Sequence, residues 1–503
     1  MSGIKQLANQ TVWYGLSNIV GRFVNYLLNP ILTYIYAPEQ FGDISILYAY
    51  AAFLNIIFTY GMETSYFRFN QQIEEKKVFN TGLTSLIIST TIFSLILLLP
   101  AQHVANFMEI GQHPEYVMYV VAIVALDTLA VLPFSKIRFE GRPRKFALIK
   151  LLNILMNVGL IIFFLFVCKP LQEKGGTGFL SSIYKPDIGI GYVFIAGVIA
   201  SAFTLLFLSK ELSEYRPSFN KKLFLELLIY STPLIVVGFG GVINETIDRF
   251  MIVHRFNGTI TASKAANGIY SANNKLAILI VIFIQTFRMG AEPFFFKNST
   301  KENAKETYSR IMNFFVIASC LCFLGVVLFL DVWKYFMGIN KHPEYLDGLY
   351  IVPVLMLSKL FLGIYYNLSI WYKLTNRNNI GALITFIGAT ITIIINYIFI
   401  PSMGFLACAI ANFVCYGSMM AISYFLGQRH YPIPYEWKKC IVYILVAYGL
   451  YLMHQALRNT NQNIIIVHGT GILLMTAFMF YVGKKEKSEL IKIPLLKKLY
   501  RGV

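Results

Sequence analysis

Charged residues are scarce in this chain. They make up 14% of its 503 residues, against about a quarter in soluble domains. No polar stretch is long enough to build a core of its own, which excludes a soluble domain. Cysteine is sparse too. Cys168, Cys320, Cys322, Cys408, Cys415 and Cys440 lie in or beside apolar segments without metal-ligand spacing, so neither a disulfide scaffold nor a zinc site is expected. The seven histidines are scattered, and no Cys/His pairing or paired-carboxylate signature accompanies them. That leaves no recognisable catalytic constellation. A cleavable signal pattern is also lacking: Lys5 precedes a long first segment with no short apolar core, so helix 1 is expected to be retained.

What is present is apolar length. Hydrophobic residues are 56% of the chain and mean hydropathy is +0.60. The runs are continuous and about 20 residues each, which fits membrane helices and not the short alternating strands of a barrel. Fourteen spans are expected, at 10–36, 40–65, 79–99, 115–137, 145–167, 189–208, 223–250, 268–291, 307–330, 346–370, 380–400, 404–426, 439–456 and 464–482. Lys and Arg in the even-numbered loops and at the two ends outnumber those in the odd-numbered loops roughly three to one, which places both termini in the cytoplasm. The same bias accounts for much of the +18 net charge without nucleic acid as a partner. The basic tail from Lys484 to Arg501 reads as a membrane-surface anchor.

The tetrapeptide HPEY occurs at His113–Tyr116 and again at His342–Tyr345, 229 residues apart. GMETSYFR from Gly61 and GAEPFFFK from Gly290 share that spacing. FVNYLLNP (23–30) matches VINETIDR (242–249), and ALI follows a basic loop at both 147 and 382. Helices 1–6 therefore resemble helices 7–12. Six is even, so both copies enter the membrane in the same direction, related by an axis along the membrane normal. The fold class is an all-α integral membrane protein with two six-helix lobes in parallel repeat, 1–212 and 213–430. Helices 13 and 14 and a basic tail follow at 431–503. HPEY itself is expected to be structural, with Pro and Glu at a helix start.

Several membrane helices carry polar stripes. Thr11, Gly15, Asn18, Arg22, Asn25 and Asn29 recur at steps of four and three, and so share one face of helix 1. Such a face needs a water-filled cavity or another helix, and a lone mid-span arginine costs about 2.5–3.5 kcal/mol on insertion scales. Helix 7 carries Pro233, Gly238, Gly240 and Gly241, then Asn244, Glu245, Asp248 and Arg249. Asn55 and Glu63 lie on helix 2 or close to its end, Lys275, Arg288 and Glu292 on helix 8 or close to it, Asp127 on helix 4 and Lys359 on helix 10. Arg22, Asn25, Asn29, Asn55, Lys275 and Arg288 are the candidate substrate-binding residues. Glu245 and Asp248 are candidates for H⁺ or Na⁺ coupling, with no other cofactor. Glu63, Asp127, Glu292 and Lys359 fit salt bridges that link helices as well as they fit a binding role.

The order of YAPEQFGDISILYAY, GMETSYFRF, KIRFEGRPRKFALIKLLN, LLIYSTPLIVVGFGGVINETIDRFMI, NGIYSANNKLA and FRMGAEPFFFK resembles the polysaccharide flippases, a branch of the multidrug/oligosaccharidyl-lipid/polysaccharide exporter superfamily. The resemblance covers nearly the whole chain. It implies fourteen helices in two lobes around a central cavity, and helices 1, 2, 7 and 8, which carry the polar stripes, are expected to line it. It also implies movement of an undecaprenyl-pyrophosphate-linked oligosaccharide across a bacterial cytoplasmic membrane by alternating access. The sugar headgroup would pass through the cavity while the polyprenyl tail stays in lipid. Arg22, Lys275 and Arg288 are then the basic positions suited to the anionic linkage. A monomer is expected, in contact with membrane lipids and with other polysaccharide assembly proteins. Two other readings stand beside this one: a multidrug exporter driven by H⁺ or Na⁺ on the same fold, and a membrane polysaccharide polymerase or ligase. The second lacks a large external loop to carry its chemistry.

Overall fold

The structure is a computed structural model. It describes residues 2–175, 178–299, 301–338, 341–460 and 463–490, and at 2–18, 234, 488 and 490 the backbone alone. Thr11, Gly15 and Asn18 of the helix 1 stripe lie outside the described side chains, and the tail beyond residue 490 lies outside the described residues.

The long helices are α1 Ser2–Ile35, α2 Pro38–Thr59, α3 Glu75–Leu98, α4 Glu115–Phe139, α5 Pro143–Ile162, α6 Gly191–Phe207 and α7 Lys221–Arg255. They continue with α8 Ile260–Asn298, α9 Ala304–Val327, α10 Val352–Leu368, α11 Asn378–Met403, α12 Leu406–His430, α13 Trp437–Thr460 and α14 Ile464–Lys485. Among the described residues there is no strand, as a lipid-spanning chain requires when no barrel closes. Among the described residues twelve spans are long and apolar enough to cross a membrane. Phe179–Ile188 and Gly191–Phe207, bent by 118°, make a thirteenth if taken together. Length and composition thus give twelve or thirteen crossings where the apolar runs count fourteen, and α1 is the long helix outside that set.

Local signals explain several boundaries. Pro38 and Pro143 open α2 and α5, where a missing N–H removes nothing from the helix. Tyr60 and Gly61 both take left-handed backbone and end α2 before the short helix Met62–Phe69. Gly141 (φ 68°) turns the chain from α4 into α5, and Asn376 (φ 55°), 235 residues on, turns it towards α11. These are residues that adopt the left-handed region at little cost. The two ALI copies share that 235-residue offset. Pro233 sits inside α7, which runs unbroken through it.

The chain forms two compact units. The first is Met1–Ala272 with Met337–Tyr345 and Ala382–Ala411, and the second is Asn273–Phe336, Leu346–Gly381 and Asn412–Val503. Within the first, α1 packs on α5, α6 on α4 and α5, α3 on α4, and α2 on α4 and α7. The basic cluster around the junction of α4 and α5 is largely neutralised by acids. Lys136 is buried and pairs with Glu214, Glu75 and Glu140, and Arg142 and Lys145 both meet Glu211, at 2.8 and 2.7 Å. Glu211 is fully buried, which a carboxylate tolerates only when paired. The hydrogen bond from Lys136 holds Glu214 below the usual carboxylate range. Both HPEY tyrosines are buried. Tyr116 donates its hydroxyl to the Ile188 carbonyl and Tyr345 to that of Tyr36, each at 2.9 Å.

In the second unit α9 packs on α10, α13 and α14, and α13 on α14. An apolar cavity of about 520 Å³ opens there among Met312, Phe361, Tyr424 and Trp437. All six cysteines are free thiols, five of them buried.

Candidate functional site

The described part of the α1 stripe does not behave as one face. Arg22 and Asn25 are exposed. Arg22 has no hydrogen bond or ion pair among the described residues. Asn29 is turned into the protein, 2% exposed, and neither polar atom of its amide finds a hydrogen-bond partner among the described residues. The Asn29 carbonyl accepts the Thr33 hydroxyl at 2.8 Å. This back-bonding and the nearby Pro30 loosen the helical ladder where the stripe changes environment.

Asn55, Glu63 and Asp127 come together. They line a cavity of about 590 Å³ in the first unit, with Arg138, Lys150 and Asn153. Glu63, just past α2, pairs with Arg138 from the end of α4, whose guanidinium also lies 5.0 Å from the Phe67 ring. Asp127 accepts the Ser201 hydroxyl from α6 at 2.8 Å. Asn153 on α5 donates to the Thr204 hydroxyl at 2.9 Å. Lys150 reaches the Phe134 ring, 4.4 Å from its centre, and no carboxylate lies within 4.0 Å of it among the described residues. Sequence reasoning does not single out Lys150, because the basic residues before it read as one cytoplasmic loop. The available signal is a lysine between Ile149 and Leu151, well inside an apolar run.

Glu245 and Asp248 enter different environments. Glu245 is exposed, and its carboxylate has no partner among the described residues. Asp248 is 2% exposed and accepts the Tyr270 hydroxyl at 2.5 Å and the Asn396 amide at 2.6 Å. Arg249 donates to the Ser45 hydroxyl at 2.9 Å and to the Glu245 carbonyl at 2.9 Å. The neighbouring ends of α2 and α8 make a dense polar contact. Lys264 pairs with Asp43 at 3.0 Å, Asn267 donates to the Gly42 carbonyl at 3.0 Å, and the Ser45 and Ser271 hydroxyls lie 2.6 Å apart.

In the second unit Arg288 pairs with Glu292 at 2.8 Å and stacks 4.6 Å from the Tyr366 ring. Lys373 meets the same carboxylate. Lys275 is half-buried. Lys359 is 7% exposed and lies 4.9 Å from the Tyr416 ring. The two glutamates of the G-x-E repeats, Glu63 and Glu292, thus each take a cation from near a helix end, Arg138 at the end of α4 and Lys373 just past α10. Arg138 and Lys373 are related by the 235-residue offset of the two ALI segments. The arrangement offers fixed cations, amides and aromatic faces. Among the described residues no group of three or more His, Cys, Asp or Glu could hold a metal.

The profile of the family described as "Polysaccharide biosynthesis protein" matches residues 7–299. A comparison with curated proteins found no match. Among solved structures, the lipid II flippase MurJ in an inward closed conformation is similar over 94% of this chain and 99% of that one, with 14% identity and a TM-score of 0.73. An inward-facing multidrug resistance MATE transporter of the MOP superfamily is similar over 83% and 94%, with 12% identity and a TM-score of 0.62. The MATE multidrug transporter DinF-BH is similar over 85% and 96%, with 15% identity and a TM-score of 0.57. At these identities the likeness is one of fold.

Proposed function

Since the chain belongs to the polysaccharide biosynthesis protein family, we propose that it is a flippase. It carries an undecaprenyl-pyrophosphate-linked oligosaccharide from the inner to the outer leaflet of a bacterial cytoplasmic membrane, with both termini in the cytoplasm. The observation that carries this reading is Arg22: a cation on the long helix α1, exposed, and with no ion pair among the described residues. Such a charge needs water or an anionic ligand. A pyrophosphate accepts the paired donors of a guanidinium, and dry cavity walls strengthen that attraction. The MurJ-like fold supports the same class of cargo. The apolar cavity of the second unit has the chemistry to accommodate part of a polyprenyl chain.

The mechanism is alternating access, with lobes 1–212 and 213–430 rocking about the site. Arg22, Asn25, Asn29 and Asn55 serve the headgroup from the first lobe, and Lys275 and Arg288 from the second. Glu245 and Asp248 couple the motion to H⁺ or Na⁺, and Glu63, Asp127, Glu292 and Lys359 hold helices in register. The protein acts as a monomer among membrane lipids and other assembly proteins. One observation favours the multidrug exporter as a second reading: the open Glu245 carboxylate, which suits a cationic drug.

Depleting the protein in its host tests the reading. Lipid-linked oligosaccharide should accumulate and stay hidden from a membrane-impermeant oxidant added outside. Arg22→Ala should fail to relieve the block. Depletion with no accumulation, together with new sensitivity to cationic dyes, would favour the exporter.

A further inference from the structure

At the end of α7 a cation lies against an exposed apolar face of α11. Arg255, the last residue of α7, is half-buried. Its guanidinium lies 4.2 Å from the centre of the Tyr397 ring, a cation–π arrangement. Nη2 donates to the Tyr397 carbonyl at 3.4 Å, and Nε finds no hydrogen-bond partner among the described residues. No carboxylate lies within 4.0 Å of the guanidinium among the described residues. A guanidinium has five N–H donors, so most of its capacity is open to a ligand. Tyr397 also belongs to an apolar row. Ile394, Tyr397 and Ile398 are exposed and, at i, i+3 and i+4, share one face of α11. The two helix ends are joined beside this row, where the Asn257 side chain donates to the Pro401 carbonyl at 2.5 Å. Both ends belong to the first unit, and neither Arg255 nor Tyr397 lines the cavity that holds Asp127 and Lys150. A cation at the head of an exposed apolar row matches a molecule with an anionic group at the head of a long hydrocarbon chain. One guanidinium balances the single charge of a phosphodiester, and falls short of a pyrophosphate.

We propose that Arg255 and the row Ile394, Tyr397 and Ile398 form a binding site for a phospholipid of the surrounding bilayer. The phosphodiester accepts charge-assisted hydrogen bonds from the guanidinium. One acyl chain lies along the α11 row and covers its apolar surface. The inference goes beyond the flippase reading and does not rest on it, because the ligand is the bilayer's own lipid and not a cargo.

The test is photolabelling of the full chain in dodecyl maltoside micelles, which contain no phosphate. The probe is phosphatidylglycerol with a diazirine in one acyl chain, and the labelled residues are mapped on peptides. Label on wild-type protein should fall on the outward face of α11 around Tyr397. Arg255→Gln should reduce it at least about fivefold, and Arg255→Lys, which keeps the charge without the fork, should retain part of it. Unlabelled phosphatidylglycerol should displace the probe. Diacylglycerol, which lacks the phosphate, and glycerol phosphate, which lacks the chains, should each compete at least about fivefold more weakly. Melting temperature is read on every variant, and Arg255→Met, which keeps an apolar stem, replaces Arg255→Gln if that protein unfolds. The proposal is overturned if α11 of the wild-type protein takes no label, or if a folded variant without the Arg255 charge is labelled as wild type is. Displacement by glycerol phosphate as strong as by phosphatidylglycerol would reduce the site to one for free phosphate and overturn it too. So would displacement by undecaprenyl phosphate where phosphatidylglycerol fails, which would assign the site to a polyprenyl lipid. No arm measures transport, so failure here leaves the flippase reading standing, and failure of flipping leaves this site standing.

Discussion

The contact between the starts of α2 and α8 is close enough that one methyl group should disrupt it. A Cβ at position 268 would lie 1.8 Å from the Pro38 carbonyl oxygen, and one at position 42 would lie 2.0 Å from that of Lys264. Both obstacles are backbone, so neither can swing aside. Restoring an ordinary contact of 3.4 Å from 1.8 Å requires the two helices to part by 1.6 Å. That movement takes the Asn267–Gly42 and Lys264–Asp43 contacts, each 3.0 Å, out of hydrogen-bonding range. Overpacking costs about 1–3 kcal/mol. Stranding the fully buried Asn267 amide costs about 1–3 kcal/mol more. The sum of roughly 2–6 kcal/mol spans the approximately 5.5 kcal/mol that inverts a 99:1 equilibrium. Gly268→Ala should therefore depopulate this packed end in favour of a parted one. Ser271→Cys, labelled in membranes with an impermeant maleimide, reports the change, and the rate should rise at least about tenfold in the Gly268→Ala background. An unchanged labelling rate with an unchanged melting temperature would refute the packing argument.

Other outcomes follow from the same geometry. Arg22→Ala should insert and fold, since it removes an exposed charge that has no ion pair among the described residues, yet transport should collapse. Arg22→Lys should retain part of the activity, because it keeps the charge without the fork, and normal flipping by Arg22→Ala would end that role. Glu211→Ala, which strands two cations beside a buried site, should cost about 1–3 kcal/mol. Glu63→Ala, at a pair that is close to half exposed, should cost less than about 1 kcal/mol, and thermal melts that reverse the order would contradict the burial argument. Glu214 is held below its ordinary range by Lys136, so its contribution is complete above the ordinary glutamate pKa. The contribution is lost as pH falls through the depressed value. Glu214→Gln should flatten the acid side of the melting-temperature profile, and an unchanged profile would count against the pair.

The helical class was legible because it rests on period and composition, which a sequence carries directly. The shared G-x-E motif and the ALI offset point to positions that make corresponding ion pairs, Glu63 with Arg138 and Glu292 with Lys373. Facing was less legible. A stripe at steps of four and three put Arg22, Asn25 and Asn29 on one face, yet Asn29 is buried while the other two are open. The side of a helix that meets a neighbour depends on packing partners far away in sequence. Glu245 and Asp248 sit within one turn of each other, but the distant Tyr270 and Asn396 determine the surroundings of Asp248. Lys150 was hidden for a different reason. It follows a run of loop cations, and only the fold shows that it turns into a cavity while Lys136, Arg142 and Lys145 are neutralised by acids from other segments. The glycine contact of α2 with α8 leaves no local mark beyond two glycines, since close approach of backbones is a property of the pair.

The central claim is that this chain moves a lipid-linked oligosaccharide between leaflets. Its most direct test is purified protein in proteoliposomes containing a fluorescent undecaprenyl-pyrophosphate-linked oligosaccharide, probed with a quencher that cannot cross the bilayer. The account predicts that wild-type protein makes the inner-leaflet pool accessible in vesicles that remain sealed to the quencher, and that Arg22→Ala leaves that pool protected. Sealed wild-type vesicles in which only the outer-leaflet pool is ever quenched would contradict it.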